Sequence, residues 1–500
     1  MKFKLFLAAL PILVITACAP VGPDFVKPET ELPPEWLQSL DFGVNTTEQD
    51  QPRWWLSFND PVLNNLIEKA WQQNNTLELA GLRVLEAKAQ LGIAQGSRYP
   101  QSQIAAGSNT YVSPAENLGG TSNYWQHGLG LSASWEIDFW GRFRRGIESA
   151  DAIYLASIAS RDQVFLLLTA QVVTTYTVIR INEEQLRIAK ENVVLQQRSF
   201  DIASVLYKNG SDSELDMQQA HTLLLSTQAT IPGFEVSLQQ ARNAMSTLLG
   251  KAPGVISALS DKAGVIPALP EEINIGLPAD LLRRRPDVRQ AELQAMAQNA
   301  QVGMAEADLY PSFSLTGAIG LAAGGPAGSS FGDMFSNDGL TFSVGPSFVW
   351  PFFNYGRIRN NIRVQDARLQ QSLVNYSEVA IQAAQEAEDA MVAFIGTRKQ
   401  NGILVDSVTS AKRSNELSML RYKEGFSDYQ RVLDAQQALF SQQQKLVGNQ
   451  GSAVLNLVNL YTAMGGGWEP VRDRPLISDE STEQMTERTN WGEILESDQQ

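Results

Sequence analysis

The 500-residue sequence has very few of the side chains that build metal and disulfide sites. It contains one cysteine, Cys18, and two histidines, His127 and His221. A single cysteine cannot form an intrachain disulfide, and so few ligands argue against a Cys/His zinc site. The glycine pairs lack the GK[ST] of a phosphate-binding loop, and no G-x-S-x-G nucleophile motif is present. The sequence therefore predicts no metal site, no catalytic site and no cofactor.

Charged residues are also scarce. They make up 19% of the sequence, against roughly 25% in an ordinary soluble protein. The formal net charge is −15. Nucleic-acid binding requires a basic surface, so this acidic balance argues against DNA or RNA as a partner.

The N-terminus has the layout of a secretory signal peptide over residues 1–17. Lys2 and Lys4 precede an apolar run that is too short to span a bilayer and that ends just before Cys18. The Ile-Thr-Ala-Cys ending resembles the lipobox of bacterial lipoproteins, which implies cleavage before Cys18 and acylation of this cysteine, for example with palmitate. Two or more acyl chains give stable anchoring. Ala19 replaces the aspartate usual in inner-membrane lipoproteins, which favours the outer membrane. The alternative is an ordinary secretory signal in which the cysteine occurs by chance.

One sequence motif occurs twice. Residues 138–152 read DFWGRFRRGIESADA and residues 353–367 read FNYGRIRNNIRVQDA, with six of fifteen positions identical at an offset of 215. The same offset relates Tyr207-Lys-Asn-Gly to Tyr422-Lys-Glu-Gly. Duplication of a whole structural unit is the economical explanation. The predicted segments are a signal peptide (1–17), an N-terminal anchor segment (18–59), a first repeat (60–250), a connecting segment (251–278), a second repeat (279–467) and a polar acidic tail predicted to be disordered (468–500).

Each repeat is predicted to contain a helix, a hairpin, a very long helix and a further helix. In the first repeat, Asp60 and Pro61 have the types expected at the N-cap and first turn of a helix. Residues 141–208 contain no proline and little glycine, which predicts one helix of roughly 95 Å. Residues 356–423 repeat this pattern. Helices of such length rarely belong to a compact globule and suggest a rod.

Four segments alternate apolar and polar residues with period two, which predicts strands with one apolar and one polar face. They are residues 103–112, 128–138, 312–321 and 340–350, of which the first is the weakest. Their length suits tilted outer-membrane strands, and aromatic residues near their ends suit an interfacial girdle. A soluble hairpin pair with one face on a core is the alternative interpretation of the strands alone.

Four strands are too few to close a barrel. An open sheet edge in lipid leaves unpaired backbone groups that cost several kcal/mol each. Single-chain barrels need about eight strands or more. If the strands lie in a membrane, several chains must therefore share one barrel, and this argument leaves their number open.

Residues 163–179 carry no charge and pass as a candidate transmembrane helix. Their Gln and Thr content, together with Arg161, Asp162 and Arg180 close by, favours a helix packed against neighbouring helices instead.

Several stretches together resemble one protein family. They are VGPDFVKP (21–28), RWWLSFNDPVLNNLIEKA (53–70), LRRRPDVRQAE (282–292) and the two Gly-Arg blocks. From Cys18 to about Gly467 the chain is similar to outer-membrane efflux lipoproteins, the TolC-like outer-membrane factors of the NodT type. The resemblance implies a mainly α protein with a membrane β-barrel portion. A homotrimer would form a twelve-stranded barrel with four strands per chain, continued by a periplasmic α-helical barrel.

The resemblance also places residues at the junctions between strands and long helices. Gly141 and Arg142 would lie at one junction, and Gly356 and Arg357 at the other. The glycines would permit a sharp change of direction. The arginines would either bind carbonyl or acidic groups at the membrane rim or remain solvated.

At the opposite ends of the long helices, the resemblance implies turns that face a periplasmic adaptor. The residues of these turns are Tyr207 and Gly210 in the first repeat, and Arg421, Tyr422 and Gly425 in the second.

A periplasmic gate would follow the second turn, with Asp428 and Tyr429 as candidates and Asp212 as the counterpart in the first repeat. The family more commonly has its acidic residue one position earlier, where this chain has Ser427. Three Asp428 carboxylates near one axis would repel each other and attract cations. Capping of the following helix by Asp428 is the alternative.

Together these features predict a passive, gated exit duct rather than an enzyme: the outer-membrane channel of a tripartite efflux pump for multidrug export. The predicted partners are two further copies of the chain, a periplasmic adaptor, an inner-membrane efflux transporter and outer-membrane lipid. The alternative is a lipid-anchored periplasmic scaffold whose hairpins pack on its own helices. A lipoprotein enzyme is a third class.

Overall fold

The computed structural model describes residues 20–29, 36–37, 44–45, 53–114, 122–260, 264–274, 284–325, 330–471 and 474–496. The chain divides into two compact units. The first comprises Met1–Glu29, Val84–Ser157 and Gln290–Ser377, and the second comprises Thr30–Arg83, Ile158–Arg289 and Glu378–Gln500. The signal peptide and Cys18 lie outside the described residues.

The described residues are mainly helical, and two helices of 67 residues each dominate the chain. The helices are α1 (Pro61–Gln73), α2 (Asn75–Gly96), α3 (Arg142–Lys208), α4 (Glu214–Gln228), α5 (Ile231–Leu248), α6 (Pro286–Ala307), α7 (Arg357–Lys423), α8 (Tyr429–Ala463), α9 (Asp479–Arg488) and α10 (Glu493–Glu496). The longer strands are β1 (Ser102–Val112), β2 (Tyr124–Ile137), β3 (Ser312–Gly324) and β4 (Leu340–Val349). Val44–Asn45 and Ile273–Asn274 form a short parallel pair.

The first unit contains an antiparallel sheet with the strand order β1-β2-β3-β4. Leu131 lies opposite Ile319, which lies opposite Phe342. Residues that face each other across strands share one face of the sheet, so this row is apolar throughout. The neighbouring row on the other face contains Ser132 and Ser343, each opposite an alanine. The register therefore aligns the period-two pattern of the sequence into one apolar and one polar face.

The apolar face is not covered by the rest of the described chain. Leu131 is 60% exposed and Phe342 is 71% exposed. Hairpins that packed on their own helices, as in the scaffold alternative, would bury these side chains. Their exposure instead fits strands that present one face to lipid.

We expect Phe342→Lys to block assembly in the outer membrane, because a charge on the lipid-facing side of a barrel costs about 2–4 kcal/mol near the bilayer midplane. Ser343→Lys is the matched control, since it adds the same charge on the polar face. The measurement is the amount of heat-resistant oligomer in isolated outer membranes. Equal assembly of the two variants would contradict a lipid-facing apolar face.

Still in the first unit, the segment that follows the predicted lipidation site is held by hydrogen bonds. The Val21 N–H donates to the Trp140 carbonyl oxygen at 2.9 Å. The buried guanidinium of Arg145 donates to the carbonyl oxygens of Val21 at 3.2 Å and Gly22 at 3.1 Å. It also donates to the Asp24 carboxylate at 2.8 Å. These hydrogen bonds hold the segment beside the end of β2.

The docked segment requires glycine at position 303 of α6. A Cβ atom on Gly303 would lie 2.9 Å from the Val21 carbonyl oxygen. Gly92, the counterpart of Gly303 in the first repeat, has no atom within 4 Å of such a Cβ. The two glycines thus form a matched pair, one in a close contact and one in open space.

We expect Gly303→Ala to loosen the docked segment, which would raise hydrogen–deuterium exchange at the amide of Val21. Gly92→Ala should leave this exchange unchanged and stabilise its helix by about 0.5–1 kcal/mol, because alanine has the higher helix propensity. Hydrogen exchange and thermal unfolding of the two variants measure the difference. Unchanged exchange at Val21 in Gly303→Ala would show that the docked segment does not depend on its close contact with Gly303.

The second unit has its own core, built largely on aromatic side chains. Trp54 stacks on Tyr461 with ring centroids 5.1 Å apart. Asp60 caps α1 by accepting from the Val62 N–H at 3.0 Å, and its other carboxylate oxygen accepts from the Tyr176 hydroxyl at 2.6 Å. The apolar stretch of α3 contributes to this core. Among the described residues, α3 is the one helix that is long and apolar enough to span a membrane, and 67% of its apolar window is buried.

Residues 468–471 and 474–496 of the polar C-terminal tail are folded and include α9, so the predicted disorder is wrong for this part. Arg474 binds the Glu68 carboxylate at 2.8 Å. Arg161 donates to the Pro475 carbonyl oxygen at 2.9 Å, and the Ser478 hydroxyl donates to Glu78 at 2.9 Å. The tail has few apolar residues, but its polar groups have specific partners on helices of the second unit.

Candidate gate at the helix turns

The two turns that follow the long helices have the same local structure. Gly210 and Gly425 both adopt positive φ values, 70° and 77°. In the first turn the Ser211 N–H donates to the Leu206 carbonyl oxygen at 2.9 Å, and the second turn repeats this bond 215 positions later at 2.8 Å. This is the Schellman arrangement, which ends a helix on a left-handed residue that glycine adopts without strain.

Within the second unit, a hydrogen bond connects the two turns. The Tyr422 hydroxyl, at the end of α7, donates to the carboxylate of Asp212, which precedes α4. Asp212 also accepts from the Ser213 N–H at 2.9 Å. The ring of Tyr422 packs edge-to-face on Tyr429, with centroids 5.3 Å apart. Both tyrosines are buried in a small apolar cluster with Ala203, Ala220 and Val432.

A second carboxyl group, that of Asp216, lies beside Asp212. Burial, the hydrogen bond to Asp212 and the negative charge of Asp212 raise the pKa of Asp216 to about 6. The charge of Asp428 makes a smaller contribution to the same rise in the pKa of Asp216. Burial alone would raise the pKa of Asp212, but hydrogen bonds from Asp216, Tyr422 and the Ser213 amide lower it below its ordinary value. The pair therefore shares a proton at mildly acidic pH.

The tyrosines of this cluster remain protonated at neutral pH. Burial raises the pKa of Tyr422 well above its ordinary value, and the hydrogen bond to Asp212 adds to this shift. Burial and the charge of Asp216 raise the pKa of Tyr429 to about 12. The Tyr422 hydroxyl is thus always available as a donor to Asp212.

Two of the three residues predicted for the gate, Asp212 and Tyr429, both contact Tyr422, which was predicted for an adaptor-facing turn. Asp428 is exposed; it occupies the N-cap position of α8, but its side chain accepts no capping hydrogen bond. Tyr207, the counterpart of Tyr422, is 39% exposed.

Asp216 was not among the residues predicted from the sequence. It lies four positions after Asp212, and the intervening Ser213 caps α4 by accepting from the Asp216 N–H at 3.2 Å. In the sequence, the pair could have been recognised from two acidic residues that flank the N-cap residue Ser213 at a spacing of four.

We expect opening at these turns to depend on pH through Asp216. Its pKa is raised from 3.8 to about 6 where the two turns meet. The contact between the turns is therefore favoured when Asp216 is protonated and weakens as pH rises through about 6. The lowered pKa of Asp212 acts in the opposite sense, and only below its ordinary value. In planar bilayers the channel should open more often at about pH 7.5 than at about pH 5.

Asp216→Asn should remove this dependence, because the amide stays neutral and can still donate to Asp212. Glu214→Gln, at an exposed position of the same helical turn, is the control and should retain it. A pH response that persists in Asp216→Asn would assign the effect to another group.

The first unit contains the two predicted junctions between strands and long helices. Gly141 and Gly356 have φ values of 76° and 83°, so both provide the change of direction that was expected of glycine. At the first junction Arg142 lies 3.5 Å from the Glu136 carboxylate and 3.8 Å from that of Asp308. This arginine therefore binds acidic groups, one of the two roles left open.

Arg357, at the second junction, takes the other role. It is exposed and forms no ion pair with any residue that the structure describes. The duplicated arginines have thus come to occupy different environments.

The comparisons with known proteins agree with this architecture. The outer membrane efflux protein family matches residues 66–251 and 277–466. The chain belongs to this family. It is 31% identical over 461 residues to the cation efflux system protein CusC of Escherichia coli O6:H1, covering 91% of this chain and 97% of the relative. It is 31% identical over 484 residues to the toluene efflux pump outer membrane protein TtgI of Pseudomonas putida, covering 94% and 99%.

Among solved structures, the outer-membrane channel OprN is similar, with a TM-score of 0.84 at 30% identity and coverage of 90% of this chain and 100% of that one. CusC has a TM-score of 0.77 at 30% identity and the same coverage. The family inferred from the sequence is thereby confirmed, and so is the fold class, that of trimeric outer-membrane efflux channels. The protein is the outer-membrane channel component of an efflux pump.

Proposed function

We propose that this channel is a passive exit duct that is held closed at rest by the contact between Tyr422 and Asp212. The observation that carries the proposal is that hydrogen bond, because it joins the end of α7 to the start of α4. Asp216 supports the contact through its hydrogen bond to Asp212, and Tyr429 through its packing on Tyr422. Opening would separate the two turns without unfolding either helix.

The exposed residues of the turns are the proposed contact surface for a periplasmic adaptor. Phe426 is 72% exposed and Leu215 is 65% exposed, next to the glycine turns. Apolar side chains at this level of exposure mark interaction sites when they cluster. An adaptor that binds them only in the open arrangement would shift the closed–open equilibrium, because a ligand favours the state it binds better.

The energy for transport would come from an inner-membrane transporter, and the duct itself would need no cofactor and would catalyse no reaction. The polar face of the sheet supports this passive role. Glu136 is the one Asp, Glu, Lys or Arg in the four described strands β1 to β4. A wall of small neutral side chains has little means of selecting among small molecules. Relatives whose names specify cations and toluene are equally similar to this chain, at 31% identity.

Acylation of Cys18 would anchor the chain in the membrane. The probable outer membrane lipoprotein SilC of Salmonella typhimurium is 31% identical over 472 residues, covering 93% of this chain. The docked segment that begins at Pro20 supports the proposal, since it would hold the acylated cysteine near the end of β2.

Tyr422→Phe tests the proposed gate. The ring would keep its packing while the donor to Asp212 is lost, and a hydrogen bond to a charged group contributes about 1.5–3 kcal/mol. We therefore expect a rise of about tenfold in open probability in planar bilayers, with increased uptake of large antibiotics by cells. Tyr207→Phe is the matched control, because it makes the same change at the exposed counterpart in the first repeat.

Equal behaviour of the two tyrosine variants would refute the proposed gate. A Tyr422→Phe channel with normal resting closure would show that other contacts keep the turns together. Wild-type protein that forms no pores in either bilayers or cells would contradict the duct itself.

A further inference from the structure

A basic and aromatic surface lies at the start of α7 in the first unit, just after β4 ends. We call it the α7 patch and define it by Phe352, Phe353, Tyr355, Arg359 and Arg363. The three aromatic side chains are 73% to 93% exposed, and both arginines are exposed. So many exposed aromatic rings beside two cations are unusual for a chain with a net charge of −15.

The arginines of the α7 patch lack acidic partners among the residues that the structure describes. Arg363 donates to the Asn360 side-chain oxygen, one turn earlier on the same helix, at 3.1 Å. No carboxylate of the described chain lies within ion-pair distance of either guanidinium. Within a single chain the two positive charges are therefore available to an anion from outside the chain.

The first repeat shows what the corresponding side of its own long helix, α3, contacts. By the offset of 215, Arg359 corresponds to Arg144 and Arg363 to Glu148. Arg144 binds Asp138 at 3.4 Å. Glu148 binds Arg145, the residue that holds the docked N-terminal segment.

The corresponding flank of α3 thus faces a segment that begins two residues after Cys18, the proposed site of acylation. The replacement of Glu148 by Arg363 changes the sign of the charge on this flank. In the second repeat the flank carries no docked segment among the described residues. Arg363 on α7 is therefore basic and exposed, whereas its counterpart Glu148 on α3 is acidic and lies beside the docked N-terminal segment.

The patch follows the end of the sheet, where a membrane-spanning strand would reach the headgroup layer of a bilayer. The sheet ends at Val349, and the aromatic residues follow at once, as in the belts that mark membrane–water interfaces. At 1.5 Å per residue, Arg359 lies roughly 5 Å and Arg363 roughly 10 Å beyond Gly356 along the helix. The headgroup layer on each side of the hydrocarbon is about 5–8 Å thick. Both long side chains can therefore reach it.

We propose that the α7 patch binds the phosphate groups of phospholipids in the periplasmic leaflet of the outer membrane. Guanidinium groups bind phosphate oxygens in bidentate fashion, and the aromatic rings pack against the glycerol and upper acyl region. The proposal uses the membrane position of the sheet but does not depend on the gate. It assigns to this chain a lipid site that its first repeat lacks.

The test uses the full-length, delipidated oligomer in a nonionic detergent and native mass spectrometry to measure bound lipid. The probe is dioctanoyl phosphatidylglycerol, and dioctanoylglycerol has the same chains without the phosphate. We expect the phospholipid to bind at least about tenfold more tightly than the glycerol, as two arginines near a phosphate should provide. The double variant Arg359→Gln/Arg363→Gln should lose this preference.

Lys412→Gln/Arg413→Gln is the matched control, because it removes the same charge from exposed positions of α7 in the second unit. It should bind the phospholipid as the wild type does. If the glutamine variant fails to assemble, Arg359→Lys/Arg363→Lys keeps the charge and should weaken binding several-fold. Raising the salt concentration on wild-type protein should weaken it as well.

Three results would overturn the proposal. Equal binding of the two lipids would show that only the acyl chains are recognised. Saturation of the site by inorganic phosphate alone would show that a free anion, not a lipid, is the ligand. No binding of phospholipid by the wild type would show that a neighbouring copy of the chain covers the arginines.

Discussion

The unpaired backbone edges of the four-stranded sheet are the constraint on which the rest of the structure depends. Within the described chain, β1 and β4 each have a strand partner on one side only. In hydrocarbon every unpaired N–H or C=O group costs several kcal/mol, so an isolated chain could not hold this sheet in a membrane. Closure requires further copies, as in the trimeric channels to which the protein is related. The aligned apolar face, the aromatic residues after β4 and the glycine junctions all serve strands that are stable only in the closed assembly.

The duplication gives the two halves the same backbone turns, whereas specific contacts form at positions where the repeats differ. Tyr422 is buried against Asp212, whereas Tyr207, its counterpart, is partly exposed. Gly303 lies against the docked N-terminal segment, whereas Gly92 has no close neighbour. A duplicated fold needs the same backbone turns in both halves, so the glycines at positive φ persist. Side chains outside those turns are free to diverge, and the contacts of Tyr422 and Gly303 each use one copy of a duplicated position.

Local patterns in the sequence predicted the elements well, because helix length, strand alternation and glycine turns depend on neighbouring residues. Contacts between distant residues were harder to predict. The C-terminal tail was taken for disordered because it is polar, yet Arg474 and Ser478 find carboxylates on α1 and α2, about 400 positions earlier. Asp216 was missed although it lies only four positions after Asp212, because its raised pKa depends on burial that the local sequence does not show. Asp428 was correctly placed at a helix start, but position alone could not show that its side chain forms no cap.

A gate of this kind must be weak compared with the fold that carries it. The core of the second unit buries many aromatic and aliphatic side chains, and breaking it would cost far more than a partner's binding could return. Tyr422, the donor of the bond to Asp212, lies in the last turn of α7, just before the glycine that ends the helix. One hydrogen bond to a carboxylate contributes about 1.5–3 kcal/mol, which differential binding of an adaptor can overcome. In the proposed gate, three such bonds in a trimer would favour the closed population, and the long helices would stay intact when the bonds break. The polar contact of Tyr422 with Asp212 and its neighbour Asp216 suits this requirement, because an apolar contact would not respond to pH.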